Sequence, residues 1–326
     1  MKFKFLLVNN VICIRILNFI LQDSYCQLFL MDVVIIFNGL GNQMSQYAFY
    51  LKKKKLSKST RFLFSKKSQK IHNGYELDKV FGIKYYDSLI NRILYLIFIS
   101  LGYKKFTFIS KPVIRVLKNL GLSIINENNN YNFNPDYLKP SRGIKFYVGG
   151  WHSEKYFADT KGTIHNIFQF NFKNIGEKNL EVLEQIKKST SVSVHVRRGD
   201  FLDKNNYSKL GAVCTLSYFL CAIEKMKTLV ENPHFYFFTN DNLWVRNNFN
   251  GPNFTIININ TFGNSWKDMF LISNCDHHIN SNGSFSWWSA WLNKNKGKIV
   301  IVPKNFMVNR YFEDIYPESW IQLQEF

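Results

Sequence analysis

The stretch SVSVHVRRGD, residues 191–200, joins an alternating apolar run to a strongly charged end. On a β-strand the valines would share one face, and the serines together with His195 would take the other. The strand should finish near Val196, so both arginines and Asp200 would fall in the loop at its carboxyl end. Ligands of open α/β sheets bind at that edge. The stretch therefore predicts one strand of an α/β sheet with an anion-binding site at its end.

The second half of the chain continues this pattern of short apolar runs separated by helical stretches. Strands are predicted at 191–196, 235–238, 255–259, 278–280 and 299–302, and helices at about 215–229, 242–249, 265–274 and 284–294. Such alternation is typical of a parallel sheet wrapped by helices.

The first half opens with a similar unit. A β-branched run at 33–37 predicts a buried strand, a glycine turn follows at 38–41, and apolar residues from Met44 onward recur at helical spacing. That helix ends in four lysines at 52–55, where cations suit the helix dipole. Residues 144–148 predict another strand. Together the two regions indicate two α/β halves with a boundary near 175–190.

Residues 84–130 give a less regular pattern. The run LINRILYLIFISLG (89–102) is apolar enough for a core helix or for a surface-docked amphipathic helix. We predict a buried helix pair here, and a membrane-facing patch is the alternative.

The two arginines after the strand provide the chemistry for binding an anion. Arg197 and Arg198 each present a planar fork of N–H donors that matches phosphate oxygens. Gly199 would let the backbone approach a ligand closely, and Asp200 could orient one of the forks. A structural Arg–Asp pair is the alternative, but a histidine, two arginines and an aspartate at one strand end favour a function.

Two further turns follow predicted strands. FNGLGNQ (37–43) places a glycine turn at a helix N-terminus, which favours an anion, although Met44 stands at the third-glycine position of the dinucleotide fingerprint. A plain tight turn explains it equally well. In NSNGSFSWWSAWL (280–292), serines and asparagines precede a helix whose tryptophans we assign to the core.

No metal site is predicted. The adjacent histidines at 277–278 would point to opposite faces of a strand, so they could not easily ligate one ion. No Asp-x-Asp motif occurs in the sequence, so the carboxylate pair that often holds Mg²⁺ or Mn²⁺ on a nucleotide is missing. Arginines and helix ends would then have to neutralise a diphosphate.

Composition describes a globular and basic chain. Of 326 residues, 46% are hydrophobic and 17% aromatic, which excludes a disordered protein. The net charge of +19 indicates anionic partners such as nucleic acid, a membrane surface or a phosphate-bearing substrate, and solvated background lysines are the alternative. The five cysteines form no CxxC pair, so a reducing compartment is expected.

The first thirty residues carry no clear signal. Asn9, Asn10, Arg15 and Asn18 interrupt the apolar run, and no small-residue cleavage site follows. We expect residues 1–30 to be an extension of the reading frame, or a disordered or loosely membrane-apposed tail, with a weak membrane anchor as the alternative.

Six stretches resemble, in order, those of the α-1,2-fucosyltransferase family, glycosyltransferase family 11. They are FNGLGNQMSQYAFY, YELDKVFGI, GGWHSEKYF, SVHVRRGDF, FYFFTND and SNGSFSWWSAWL. The similarity runs from about Met31 to Pro303. Asn38 stands where the family usually has Gly, Ser45 where it has Phe, and Gly283 where it has a second Ser.

The resemblance implies an α/β, GT-B-like fold of two Rossmann-like domains facing a cleft. Residues 31–180 would form the acceptor-side domain and 181–326 the GDP-fucose-binding domain. The implied reaction is an inverting, metal-independent transfer of L-fucose from GDP-fucose to the 2-hydroxyl of a terminal galactose on a glycan. GDP-fucose is the donor substrate, and no cofactor is implied.

The resemblance also implies roles for individual residues. Arg197 would bind the β-phosphate, with Arg198 beside it, and His195 would bind the guanosine end. Asp268 would pair with guanine N–H groups, although a solvated helix carboxylate is the alternative. The remaining phosphate cradle would consist of Ser284, Phe285 and Ser286, faced from the other domain by Asn42 and Gln43. Asp200 is a candidate general base or a brace for an arginine, and these alternatives stay open.

Competing functions differ in what they require. A glycosyltransferase that uses another GDP-sugar would share the same motifs. A basic nucleic-acid-binding protein would need a repeated aromatic and basic module, and a lectin would need a β-rich pattern; the sequence shows neither. We therefore expect an enzyme with no nucleic-acid partner, located in the cytoplasm and in peripheral contact with the inner membrane face.

Overall fold

The computed structural model describes residues 30–324, except 66, 69–72, 103–114, 116–117, 120, 129 and 141. The expected extension at 1–30 lies outside the described residues, apart from Leu30.

Ten strands are present in this described part of the chain. They are β1 Leu30–Ile36, β2 Arg61–Phe64, β3 Ser123–Asn126, β4 Gly143–Val148, β5 Thr190–Val196, β6 Pro233–Thr239, β7 Phe254–Ile257, β8 His277–Ile279, β9 Val300–Pro303 and β10 Ile321–Leu323. The strands predicted in the second half, and the one predicted at 144–148, are confirmed to within two residues at either end. The strand predicted at 33–37 is β1, which begins three residues earlier, and β2, β3 and β10 were not predicted.

The longer helices within the same described ranges alternate with these strands. They are α1 Leu40–Leu56, α2 Glu76–Phe81, α3 Leu89–Gly102, α4 Lys161–Ile167, α5 Glu177–Lys187, α6 Leu216–Leu229, α7 Asn242–Asn248, α8 Trp266–Ile272 and α9 Ser284–Leu292. Short helical turns occupy Pro135–Leu138, Glu154–Tyr156, Ala158–Thr160, Phe172–Asn174, Gly199–Phe201, Lys204–Asn206, Tyr207–Gly211 and Phe262–Asn264.

The strands form two sheets in which all neighbours run parallel. The first sheet has the order β2-β1-β4-β3, with Val33 opposite Arg61 and Phe146. The second has the order β10-β9-β8-β5-β6-β7, with Val194 opposite Phe237 and Ile279. Two parallel sheets with helices between their strands confirm the predicted α/β, GT-B-like class. The division into domains at 180 stays a prediction.

Strand β5 has the two faces that its sequence indicated. Its three valines are fully buried and pack in one apolar cluster with residues of α6 and β6. On the other face, the Ser193 hydroxyl lies 2.8 Å from His278 Nδ1. Both faces are covered, as expected for a central parallel strand.

Helix α3 differs from the prediction of a buried helix pair. Leu94 and Ile97 are buried and pack against the first sheet, but Leu89 is 73% exposed. The hydrophobic run is longer than one face of a helix needs, so part of it remains at the surface. The segment that would hold the second helix of the pair lies mostly outside the described residues.

Lys53, in the last turn of α1, is a buried cation. Its ammonium group is buried, and it pairs with the buried Asp32 carboxylate of β1 at 2.8 Å. It also donates to the Tyr137 carbonyl and to the Tyr147 hydroxyl, each at 3.1 Å. These partners compensate the desolvation of a buried charge.

Helices α1 and α9 connect the two halves through their first turns. A Cβ atom on Gly41 would lie 2.5 Å from the carbonyl carbon of Ser284, so only glycine permits this approach. One turn further along both helices, the indole N–H of the buried Trp288 donates to Ser45 Oγ at 2.8 Å. The Ser45 hydroxyl also lies 2.9 Å from His152 Nδ1. Ser45, a departure from the family pattern, is therefore a polar link across the interface.

The tryptophans of α9 are core residues, as the sequence indicated. Trp287, Trp288 and Trp291 are all buried in a cluster that includes residues of both sheets. The ring of Phe157 stacks on Trp288 with centroids 5.6 Å apart. The halves consequently share one apolar core.

Replacing Gly41 should separate the two helices. Gly41→Ala is expected to lower the free energy of unfolding by about 1–3 kcal/mol, because the methyl group must displace backbone rather than a flexible side chain. Gly162→Ala in α4 is the matched control, since no atom lies within 4 Å of the added carbon. Urea denaturation of both variants checks this. Equal stability of the two variants would show that the close packing of α1 and α9 does not require glycine at position 41.

Candidate active site

The carboxyl ends of four neighbouring strands bring the predicted site residues of the second half to one edge of the second sheet. Strands β8, β5, β6 and β7 lie side by side and run parallel, so their following loops share that edge. This is where ligands of open α/β sheets bind.

Arg197 and Asp200 form a bidentate pair in the loop after β5. The guanidinium Nε donates to Asp200 Oδ1 at 3.1 Å, and Nη2 donates to Oδ2 at 2.7 Å. The guanidinium also lies over the Phe201 ring, 4.8 Å from its centroid. The pair is partly exposed, at 28% for the arginine and 41% for the aspartate. The fork is thus fixed on one side, while its Nη1 side takes no part in these two hydrogen bonds.

Arg198 is held in a separate position. Its Nε donates to Asp241 Oδ2 at 3.1 Å, and its guanidinium lies 4.2 Å from the Trp244 ring centroid. The backbone N–H groups of Arg198 and Gly199 both donate to Asn240 Oδ1, at 2.9 and 3.2 Å. The sequence reasoning missed Asn240 and Asp241. The available signal was the polar TND that ends FYFFTND after the predicted strand at 235–238.

His195 faces the turn before α9. Its Nδ1 lies 2.9 Å from Ser281 Oγ, and its ring stacks on Phe285 with centroids 5.3 Å apart. Burial, together with the positive charge of Arg197, lowers the pKa of His195 to about 3. The imidazole is therefore neutral at physiological pH, with one ring nitrogen engaged by Ser281. Ser281 belongs to the serine turn that the sequence offered as a functional candidate, but its contact with His195 was not predicted.

The first turn of α9 contains two half-buried residues and one buried residue that holds the turn in shape. Gly283 precedes the helix in an extended conformation, and no side chain caps it. The first N–H groups of a helix have no intrahelical partner, so this turn suits an anion. Ser284 and Phe285 are half-buried. Ser286 is fully buried, and its hydroxyl lies 3.0 Å from the Ser281 carbonyl and 3.2 Å from that of Gly283, so it holds the turn in shape.

The first turn of α1 already binds a carboxylate of this chain, that of Glu76. The Leu40 N–H donates to Glu76 Oε2 at 3.0 Å. Gln43 is buried, donates to the carbonyls of Asn38 and Gly74 at 2.7 Å each, and accepts from the Glu76 N–H at 3.0 Å. Gln43 therefore shapes the turn. Asn42 remains half-exposed.

Asn38 adopts the left-handed backbone conformation, with φ of 64°. Glycine enters this region freely, and asparagine is among the side-chain-bearing residues that tolerate it best. The family's usual glycine and the asparagine of this chain therefore meet the same conformational need.

Asp268 lies in the first turn of α8, next to the loop after β7. Its Oδ1 accepts from Asn260 Nδ2 at 2.7 Å, and Asn260 exchanges hydrogen bonds with Asn179. Burial raises the pKa of Asp268 to about 7, although the Asn260 hydrogen bond acts in the opposite direction. The side chain is not the solvated helix carboxylate of the alternative interpretation.

The adjacent histidines of β8 have separate partners. His277 Nδ1 accepts from the Ile299 N–H at 3.0 Å, while His278 lies between Ser193 and Asn293. Among the described residues, no group of three or more His, Cys, Asp or Glu side chains is placed to hold a metal ion. In the same part of the chain, no helix is both long enough and apolar enough to cross a membrane.

Comparison with known proteins gives the family. Residues 32–324 match the sequence model of "Glycosyl transferase family 11", and the chain belongs to this family. It is accordingly a glycosyltransferase.

Curated relatives cover nearly the whole chain. An α-1,2-colitosyltransferase from Escherichia coli is 29% identical over 306 residues, which cover 90% of this chain and all of the relative. The O-antigen biosynthesis glycosyltransferase WbnK from Escherichia coli is 28% identical, over 87% of this chain and 98% of its own length. Galactoside α-(1,2)-fucosyltransferase 1 from Saimiri boliviensis boliviensis is 31% identical over 105 residues, 32% of this chain and 29% of its own.

Solved structures resemble the chain more distantly. The crystal structure of fucosyltransferase NodZ from Bradyrhizobium aligns with 80% of this chain and 92% of its own, at a TM-score of 0.47 and 12% identity. The Escherichia coli heptosyltransferase WaaC with ADP aligns with 90% and 93%, at a TM-score of 0.40 and 7% identity.

The shifted pKa of Asp268 should make the stability of the protein depend on pH. Between about pH 4 and 7 the folded state retains a proton that the unfolded state has lost. This contribution therefore lowers the free energy of unfolding as pH rises through that range. Asp268→Asn removes the contribution, so the variant should gain stability relative to the wild type as pH increases.

Denaturant titrations at several pH values check this expectation. Asp87→Asn is the control, because Asp87 is an exposed carboxylate in an ion pair with Arg92. A difference between Asp268→Asn and the wild type that stays constant from pH 4 to 7 would contradict the shifted pKa.

Proposed function

We propose that the chain transfers L-fucose from GDP-fucose to the 2-hydroxyl of a terminal galactose on a glycan. Membership of glycosyltransferase family 11 supports this, as do relatives named as an α-1,2-colitosyltransferase and a galactoside α-(1,2)-fucosyltransferase. The observation that carries the proposal is the fixed Arg197 fork at the same sheet edge as the uncapped first turn of α9. Both features suit a diphosphate.

Within this proposal, the donor is bound at the edge of the second sheet. Arg197 binds the β-phosphate through the side of its guanidinium that Asp200 leaves free. The backbone N–H groups of Ser284 and Phe285 bind the same diphosphate, and Ser286 keeps their turn in shape. Asn42 faces the phosphates from α1. Residues 181–326 would thus serve the donor, and 31–180 the acceptor.

The guanosine end of the donor lies toward His195 and Asp268 in this arrangement. The neutral imidazole of His195 offers one ring nitrogen to the nucleoside, while Ser281 fixes the other. The carboxylate of Asp268 accepts from guanine N–H groups. Since those donors stabilise the ionised form, GDP binding would reverse the raised pKa of Asp268.

Catalysis in this scheme comes from donors arranged around the leaving group. As the glycosidic bond to GDP breaks, negative charge develops on the β-phosphate and the sugar becomes oxocarbenium-like. Hydrogen-bond donors that are already in place stabilise this transition state more than the ground state. The acceptor hydroxyl attacks from the opposite face of the sugar, which inverts the anomeric centre. The positive charge of Arg197 and the helix N–H groups take the part that a metal ion plays elsewhere.

Asp200 acts as a brace in this mechanism. Both of its carboxylate oxygens accept from Arg197, at 3.1 and 2.7 Å, so the carboxylate is oriented toward the guanidinium. The pair fixes the orientation of the guanidinium before the donor arrives, which reduces the entropy lost on binding.

A different transferred sugar is the second candidate function. The name of the α-1,2-colitosyltransferase, which aligns over its full length with this chain, supports colitose as the alternative. Nucleic-acid binding has no comparable support, because the family is one of glycosyltransferases.

We also propose that the protein works on surface glycan at the cytoplasmic face of a membrane, in peripheral contact with it. The relative named for O-antigen biosynthesis supports the glycan class, and the net charge of +19 supports attraction to an anionic bilayer.

A screen of donors and acceptors tests the reaction. GDP-fucose, GDP-mannose, a colitosyl donor and UDP-sugars are each offered to β-galactosides, with and without EDTA. We expect transfer from GDP-fucose that is unchanged by EDTA, with NMR of the product showing an α-1,2 linkage. Transfer from a UDP-sugar alone, or complete loss with EDTA, would refute the donor class or the metal independence.

Variants of the Arg197–Asp200 pair test the phosphate role. Arg197→Ala should lower kcat by about a hundredfold to a thousandfold, as expected for the loss of one charged donor to the transition state. Arg197→Lys should recover only part of this, since an ammonium group cannot reproduce the fork. Arg246→Ala, an exposed arginine of the same half, is the control and should retain activity. Near-normal transfer by Arg197→Ala would rule out its phosphate role.

The double variant separates the two possible roles of Asp200. If Asp200 only braces Arg197, the variant Arg197→Ala/Asp200→Asn should be no less active than Arg197→Ala alone. The first substitution already removes the Arg197–Asp200 pair, so the second has nothing further to remove. A general base would instead add its own loss and remove the acidic limb of the pH–rate profile.

A further inference from the structure

A basic cavity lies at the end of the first sheet opposite the candidate active site. It encloses about 630 Å³ and is lined by residues that include Met31 at the start of β1 and Arg61 at the start of β2. The glycine turn that leads to the donor site follows the carboxyl end of β1. The seven-residue length of β1 places these two regions about 20 Å apart.

The cavity carries a concentrated positive charge. Four cations line it, and no acidic residue does; they are Lys54, Lys58, Arg61 and Lys84. Within the described residues, none of the four takes part in an ion pair, whereas the nearby Asp87 pairs with Arg92 at 3.0 Å. Uncompensated cations around a concave site attract an anion, and phosphate oxygens match their donors.

Aromatic and apolar side chains surround these cations. Tyr50 and Tyr85 line the cavity, and Lys54 lies over the Tyr50 ring at 5.6 Å. Tyr86, which also lines the cavity, is 70% exposed. Leu89, at the start of α3, lies between two residues that line the cavity and is 73% exposed, and we call Tyr86 and Leu89 the rim of the cavity. Cations beside exposed tyrosine and leucine form the composition of a membrane-interface surface, where charged groups meet headgroups and apolar groups enter the acyl boundary.

We propose that this cavity binds the phosphate of an anionic lipid headgroup and that its rim is the face with which the protein contacts a bilayer. The proposal rests on the peripheral membrane contact proposed above and assigns it to one surface. Free phosphate shares the headgroup chemistry, but it gives no role to the exposed Tyr86 and Leu89. Docking here would direct the carboxyl edge of the first sheet, and the cleft beside it, away from the membrane surface.

Vesicle binding by the full-length chain tests the assignment. Binding to mixed phosphatidylglycerol–phosphatidylcholine vesicles is measured by co-sedimentation, beside vesicles of phosphatidylcholine alone. Each cation near an anionic surface contributes about fivefold in affinity, so Lys58→Ala/Lys84→Ala should weaken binding roughly 25-fold. Lys187→Ala/Lys188→Ala removes the same charge from exposed positions in the other half and should have a much smaller effect.

The rim is tested by a matched pair of leucine variants. Leu89→Ser should weaken vesicle binding, whereas Leu220→Ser, an exposed leucine of α6, should not. Binding of inorganic pyrophosphate is also measured, to test whether the cavity binds a soluble phosphate. Saturable pyrophosphate binding that depends on Lys58 and Lys84, without any vesicle binding, would replace the lipid by a soluble phosphate and overturn the proposal.

Two further outcomes decide the result. If both double-lysine variants lose vesicle binding equally, the attraction is diffuse and has no dedicated site. If neither variant loses vesicle binding, the cavity is not the membrane-binding site. Transfer to a soluble galactoside is measured in parallel and should be unchanged by the Lys58 and Lys84 substitutions. If the wild type transfers nothing while vesicle binding follows the cavity, the proposed reaction fails and the membrane site stands.

Discussion

The close approach of α1 and α9 at Gly41 is the constraint on which the rest of the structure depends. Because a Cβ atom there would meet the backbone of Ser284, the first turns of the two helices can touch only where this position has no side chain. The contact allows Trp288 to reach Ser45 and Phe157 to stack on Trp288. One apolar core then spans both halves, and the turn before α9 is fixed against the first half.

Three side chains of the candidate site follow a common arrangement, in which a neighbour holds each one in place. Asp200 fixes Arg197, Asp241 and Trp244 fix Arg198, and Ser281 fixes His195. Ordering these side chains in advance lowers the entropy lost when an anion binds, and it aligns donors with charge that forms only in the transition state. The folded chain therefore presents a preorganised site. Asp200 braces Arg197 from three residues away, whereas the braces of Arg198 and His195 come from segments that are distant in sequence.

Sequence reasoning succeeded where a local pattern decides a local structure. The valines at alternate positions predicted β5, and the tryptophans at helical spacing predicted α9, because both periods act over a few residues. The serines and asparagines expected to cap α9 do not, since Gly283 precedes the helix and no side chain caps it. Sequence reasoning failed where long-range burial decides. The four lysines at 52–55 indicate a helix end by their charge, and nothing local distinguishes Lys53, which is buried against Asp32 of β1. The apolar run of α3 predicted full burial, but the sheet beneath it covers only one face.

The sequence by itself determined the α/β class, the positions along the chain of seven of the ten described strands, and the placement of the Arg197-to-Asp200 loop at a strand end. These follow from hydrophobic period and from residue types, which are local properties. Only the tertiary structure decided which partner each charged group takes. Asn240 and Asp241 support the loop after β5, and Glu76 occupies the first turn of α1. Hydrogen bonds act over about 3 Å, so they form only when the packing of distant segments has brought the groups together.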